Sequence, residues 1–131
     1  MITSDLNLLR EKEPATWEKI ARGLPMIPHH TYYTYDVVNG TKTAHQDDRA
    51  WIPFNELPPE VALAWLQAVL QDAIQTKIDY TAQRIKHTWS YSIICDLDGI
   101  VAWVHASDEE YIGVGDSPAE ALLAAYLEAI R

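Results

Sequence analysis

Trp89-Ser90-Tyr91-Ser92-Ile93-Ile94-Cys95-Asp96-Leu97-Asp98-Gly99-Ile100-Val101-Ala102-Trp103-Val104-His105-Ala106 decides the fold. Trp89, Tyr91, Ile93 and Cys95 recur at every second position, the period of a half-buried strand. Asp96-Leu97-Asp98-Gly99 is rich in the residues that tight turns favour, and Ile100 to Ala106 forms the next strand. Strands joined by so short a link pair antiparallel. Just upstream, Thr76 to Lys86 alternates Ile78, Tyr80 and Ala82 against Lys77, Asp79, Thr81 and Gln83, which extends the meander over 76–106. Cys95, the single cysteine, falls in an apolar run and reads as a buried, inert thiol.

Helices flank this meander in the sequence. Ser117-Pro118-Ala119-Glu120 is a capping box, after which Ala119, Leu122, Leu123, Tyr126, Leu127 and Ile130 follow helical spacing. Pro58-Pro59 opens another helix, whose buried stripe is Ala62, Trp65, Leu66, Val69, Leu70 and Ala73. The spacing predicts helices near 60–74 and 118–130, with Trp65, Leu66, Val69, Ile93, Leu122 and Tyr126 in the core. From Asp5 to Arg22 a third helical stretch is interrupted at Pro14 and stopped by Gly23. Thr31 to Val38, rich in tyrosine, threonine and valine, runs into Asn39-Gly40 and predicts a β-hairpin returning through His45. The fold class is therefore α+β, an antiparallel β-sheet meander packed against two or three α-helices as an α/β sandwich. One domain over 1–131 is expected, with a helical segment and tyrosine-rich hairpin in 1–50 and the sandwich-like part in 51–131.

Composition narrows the function. With 131 residues, 48% hydrophobic and 22% charged, the chain can bury a core without metals or disulfides. The start of the chain has neither a basic stretch nor an apolar one, and no run approaches a membrane span, so a cytoplasmic location is expected. A net charge of -9 opposes binding to nucleic acid or an anionic membrane and favours a basic partner. The charge is concentrated: Ser107 to Arg131 holds six acids against Arg131 alone. Asp108, Glu109 and Glu110 are accordingly candidate binding residues. Tyr32, Tyr33 and Tyr35 are the others, because tyrosine couples apolar area to a polar tip; Tyr33 and Tyr35 share one face of a strand and Tyr32 takes the other.

Catalytic patterns are weak. Ile93 to Val101 resembles the first motif of the haloacid-dehalogenase phosphatases, in which Asp96 would be the nucleophile and Asp98 the acid and base. Only 32 residues follow Gly99, too few for that family's parallel-sheet body, so Asp96 and Asp98 are read as turn residues. His29, His30, His45, Asp47 and Asp48 match no metal-ligand spacing. Phosphate-binding glycine loops and nucleophile elbows are missing from the sequence. The chain is expected to be no enzyme, with no metal and no cofactor.

From Trp51 onward the chain resembles the small phage "ABA sandwich" proteins, through Trp51-Ile52-Pro53, Ala62-Leu63-Ala64-Trp65 and Gly115-Asp116-Ser117-Pro118-Ala119-Glu120-Ala121. That resemblance implies a phage or mobile-element accessory protein without assigned catalytic residues. Its final strand and helix also resemble the HicB antitoxins, through Asp96-Leu97-Asp98-Gly99 and the same closing helix, which implies an acidic antitoxin clasping a basic RNase toxin. The expected function is an acidic inhibitor that binds and neutralises a host defence protein with a basic surface. The alternatives are the HicB-like antitoxin and a sponge for a nucleotide second messenger, the latter needing cations such as Arg84 and Lys86. A homodimer is left open.

Overall fold

The computed structural model describes residues 2–25, 33–38, 41–46, 51–80 and 86–131. Pro14 splits the N-terminal helix as its ring chemistry requires, giving α1 (Ile2–Lys12) and α2 (Pro14–Arg22). The missing Pro14 N–H costs nothing at a first helical position, and the Glu13 N–H still closes the last turn of α1 on the Leu9 carbonyl at 2.7 Å. Gly23 ends α2 at φ +83°, and its N–H returns to the Ile20 carbonyl at 3.1 Å. Leu6, Leu9 and Ile20 carry the buried face of this corner.

Strand β1 (Leu24–Pro25) pairs antiparallel with β4 (Trp51–Ile52), which leads through a 3₁₀ turn at Phe54–Glu56 into α3 (Pro59–Gln75). Between them, β2 (Tyr33–Val38) and β3 (Thr41–Gln46) form the expected hairpin, with Val38 opposite Thr41. Helix α3 buries Leu66, Val69, Leu70 and Ile74. Trp65 is only half-buried, against expectation: its indole N–H donates to the Ile20 carbonyl at 3.3 Å, which holds the ring at the boundary between α2 and α3.

The meander differs from the expected one at both ends. Thr76 to Lys86 is not one strand of the main sheet. It contains β5 (Ile78–Tyr80), which pairs with β6 (Lys86–Thr88) in a separate two-stranded sheet, and Ile78 is exposed. The main sheet is β7 (Ser90–Asp96), β8 (Gly99–Ala106) and β9 (Glu109–Gly115), all antiparallel in that order. The third strand lies in the segment that sequence reading left as an acidic surface. The class is α+β.

Helix α4 (Pro118–Ile130) is the centre of the molecule. It lies across β8 and β9 and also packs on α3 and α1. Being covered on several sides, it buries Ala119, Ala121, Leu122, Leu123, Ala125, Tyr126 and Leu127. Its cap differs in one detail from the expected reciprocal box. Ser117 Oγ accepts from the Glu120 N–H at 3.2 Å, but the Glu120 carboxylate accepts from the Ser117 hydroxyl, at 3.1 Å, rather than from a backbone N–H. Close seating on β9 is permitted by Gly113: a Cβ built there would lie 2.3 Å from the Ala121 carbonyl oxygen and 2.3 Å from the Ala125 nitrogen.

The edge strand β7 lies outside the main footprint of α4, and this corrects two further expectations. Ile93 points inward yet is only half-buried, and Cys95, on the same face near the strand's end, is exposed rather than buried. Among the described residues, no helix is long and apolar enough to cross a membrane.

Candidate functional site

Antiparallel register sorts the main sheet into two faces, since residues directly opposite share one. Toward α4 lie the rows Tyr91–Val104–Tyr111 and Ile93–Ala102–Gly113. The opposite, outer face carries Ile94–Val101–Val114, then Ser92–Trp103–Ile112, then Ser90–His105–Glu110. Ile94 is 50% exposed, Ile112 56% and Val114 67%, while Val101 and Trp103 on the central strand are half-buried between them. Five apolar side chains thus form a contiguous patch on adjoining strands spaced about 4.8 Å apart. Scattered apolar residues on a surface are ordinary; a contiguous patch rimmed by polar groups marks an interaction surface.

Acids bound this patch at both ends. Asp96 follows Ile94 by two residues, Asp98 sits in the adjoining turn and Asp116 follows Val114 by two; all three are exposed. Glu110 stands at the other end, beside the turn that carries Asp108. The hairpin turn between β7 and β8 is fixed locally: Asp96 closes β7 and its Oδ1 accepts from the N–H of Asp98 in the turn at 2.8 Å.

No family model, curated protein or solved structure matches the chain. Its own residues therefore carry the functional argument.

The candidates named from sequence are only partly brought together. Asp108, Glu109 and Glu110 are all exposed, but the strand separates them. Glu110 projects to the outer face, Asp108 lies in the turn, and Glu109 lies on the α4 side, where it accepts the Tyr111 hydroxyl at 2.7 Å. That hydrogen bond pushes the Tyr111 phenol above its ordinary value. Tyr33 and Tyr35 belong to β2, while their side chains and all of Tyr32 lie outside the described residues. The same holds for His29, His30, Asp47, Asp48 and Arg84, and for the side chains of His45 and Lys86. Among the described residues, no group of three or more His, Cys, Asp or Glu is placed to hold a metal ion. Trp103, Ile112 and Val114 are the residues sequence reading missed. For Ile112 and Val114 the signal was the alternation from Glu109 to Gly115, hidden behind the acids that begin it; Trp103 lay in a strand already read, with its face unassigned.

A second cluster competes for attention, in a cleft of about 140 Å³ lined by Glu13, Thr16, Asp72, Lys77 and Tyr126. Glu13 accepts hydrogen bonds from the Tyr126 hydroxyl, from Thr16 Oγ1 at 2.9 Å and from Lys77 Nζ at 3.0 Å. Lys77 Nζ also stands 5.0 Å over the Trp89 ring and 5.7 Å over that of Tyr126. Burial alone would raise the Glu13 carboxyl, but the bonds from Tyr126, Lys77 and Thr16, with the Lys77 charge, outweigh it and hold the group below its ordinary value. Burial first, then the hydrogen bond to Glu13 and its negative charge, push the Tyr126 phenol up. Carboxylate, ammonium and phenol each have partners within the protein, so the cluster ties the α1–α2 corner to α4 and to the chain entering β5.

This tie is pH-sensitive in a definite direction. The folded Glu13 carboxyl binds its proton less tightly than the unfolded one, so its contribution is present above the ordinary value of 4.5 and is lost as pH falls through the lower folded value. Melting temperatures measured between about pH 5 and about pH 3 are expected to fall, and Glu13→Gln to flatten that fall. At neutral pH the same substitution should cost about 1 kcal/mol, because the pair is partly exposed. An acid limb of unchanged steepness in the variant would show that Glu13 contributes nothing to it.

Proposed function

We propose that the protein is a non-catalytic binding protein, an acidic inhibitor that covers a basic surface on a partner protein, and that its working surface is the outer face of β7–β8–β9. The observation that carries this reading is the open apolar patch of Ile94, Val101, Trp103, Ile112 and Val114 held between acidic ends. Such a surface divides the work of recognition. Desolvation of the apolar centre, with Trp103 on the middle strand as its aromatic anchor, supplies the anchoring energy, while the acids raise the association rate and fix register. A net charge of -9 supports a basic partner. The likeness to phage "ABA sandwich" proteins adds an origin to the proposal, an accessory protein of a phage or mobile element directed at a host defence component.

The test is affinity capture with three baits: wild type, Ile112→Ser/Val114→Ser, and Tyr32→Ala/Tyr33→Ala/Tyr35→Ala. The serine pair keeps the net charge and removes two exposed apolar side chains. A protein retained by wild type is expected to be lost with the serine pair. Loss with the tyrosine variant alone would move the working surface to the β2–β3 region.

A further inference from the structure

The outer face also specifies the form of its occupant, an inference that rests on the reading just given. We propose that this face receives a basic amphipathic α-helix of the partner, laid along the strands with its apolar stripe on Trp103, Ile112 and Val114 and its cationic residues toward the two acidic ends. Width comes first. Three strands place their outer members about 9.6 Å apart, the span covered by one helix of about 10–12 Å diameter. On the other side the molecule already seats a single helix, α4, on β8 and β9, the two strands that carry Trp103, Ile112 and Val114.

Length follows from the acids. Glu110 shares a row with Ser90, and Asp96 stands six residues beyond Ser90 along β7, roughly 20 Å. A helix matching both ends carries Lys or Arg about 13 residues apart, with apolar residues at i, i+3, i+4 and i+7 spacing between them. An added β-strand would pair with the edge of β7 or β9 and leave the side-chain rows uncovered. A second copy of this chain is disfavoured by charge. Both ends of the face are acidic, so a copy aligned along the strands in either direction sets carboxylates against carboxylates, and like-charge juxtaposition across an interface is costly.

The probe is a fluorescently labelled, amidated helical peptide of about 18 leucine and lysine residues with the leucines in one stripe, titrated by anisotropy. Two controls are the same composition reordered without a stripe, and a version with glutamate in place of lysine. The striped basic peptide is expected to bind wild type, and about tenfold more weakly to Ile112→Ser/Val114→Ser, a protein of the same net charge. The reordered peptide should bind at least about tenfold more weakly than the striped one, and the glutamate version not at all. Val114→Thr, nearly the same shape, guards against a folding defect and should show an intermediate loss. Equal binding of striped and reordered peptides, or equal binding to wild type and the serine pair, would overturn the helix proposal. If the striped peptide fails to bind while the serine pair still loses the captured partner, the helix is wrong and the working surface stands. If the serine pair also keeps the partner, both fall.

Discussion

Gly113→Val is expected to lower the unfolding free energy by about 3 kcal/mol or more, with a drop in melting temperature on the order of 10 °C. The reason lies in what a side chain would meet. A Cβ at this position stands 2.3 Å from the Ala121 carbonyl oxygen and 2.3 Å from the Ala125 nitrogen, and neither backbone atom can rotate away. Helix α4 would have to retreat from β9 by roughly 1 Å to reach ordinary contact distance. Because α4 also packs on α3 and α1, the retreat loosens contacts on those sides too. Gly113→Ala should be nearly as harmful, since the first carbon already makes the clash. Ile112→Ala, one residue away but on the open face, should stay within about 0.5 kcal/mol of wild type. Urea and thermal unfolding followed by circular dichroism measure all three. Gly113→Ala at wild-type stability would mean that α4 does not seat on β9 as described.

The same glycine explains why part of the fold was legible in the sequence and part was not. Elements marked by local chemistry were readable: Pro14 as a helix break, Gly23 as a stop, Ser117 to Glu120 as a cap, and Asp96 to Gly99 as a turn each act within a few residues. Strand β9 was not. Alternation normally places apolar side chains inward, but here the inward positions 113 and 115 are glycines chosen for close approach, and the apolar Ile112 and Val114 face outward. The pattern is inverted, and the acids at its start give the segment the composition of a solvated loop. The outer patch was hidden for a related reason, because Ile94, Trp103 and Ile112 look like core residues until the register shows which face they share. Cys95 and Ile93 failed differently. Their inward direction was correct, but how far α4 reaches across an edge strand depends on packing, which no local pattern encodes. The Glu13–Lys77 contact, 64 residues apart in sequence, had no local signal at all.

Gly23→Ala is the other substitution expected to cost about 3 kcal/mol or more, through two separate effects. Gly23 adopts φ +83° with ψ -159°, a region essentially confined to glycine and worth about 1–3 kcal/mol of strain to any other residue. A Cβ would in addition lie 1.7 Å from the Ile52 carbonyl oxygen and 2.9 Å from the Phe54 nitrogen, so β4 and the turn after it must shift. The damage should be centred on this junction. Among the described residues β1 and β4 share the pairs Leu24–Ile52 and Pro25–Trp51, and the Arg22 guanidinium sits 4.1 Å over the Trp51 ring. Hydrogen exchange is therefore expected to rise at Ile52 and along α2 before it rises in α4. Gly23→Asn should fare no better. Asparagine tolerates the left-handed region near ψ +30° to +60°, but ψ here lies far from it, so asparagine gains little over alanine and meets the same carbonyl. Stability within about 1 kcal/mol of wild type for either variant would refute the close approach of Gly23 to Ile52.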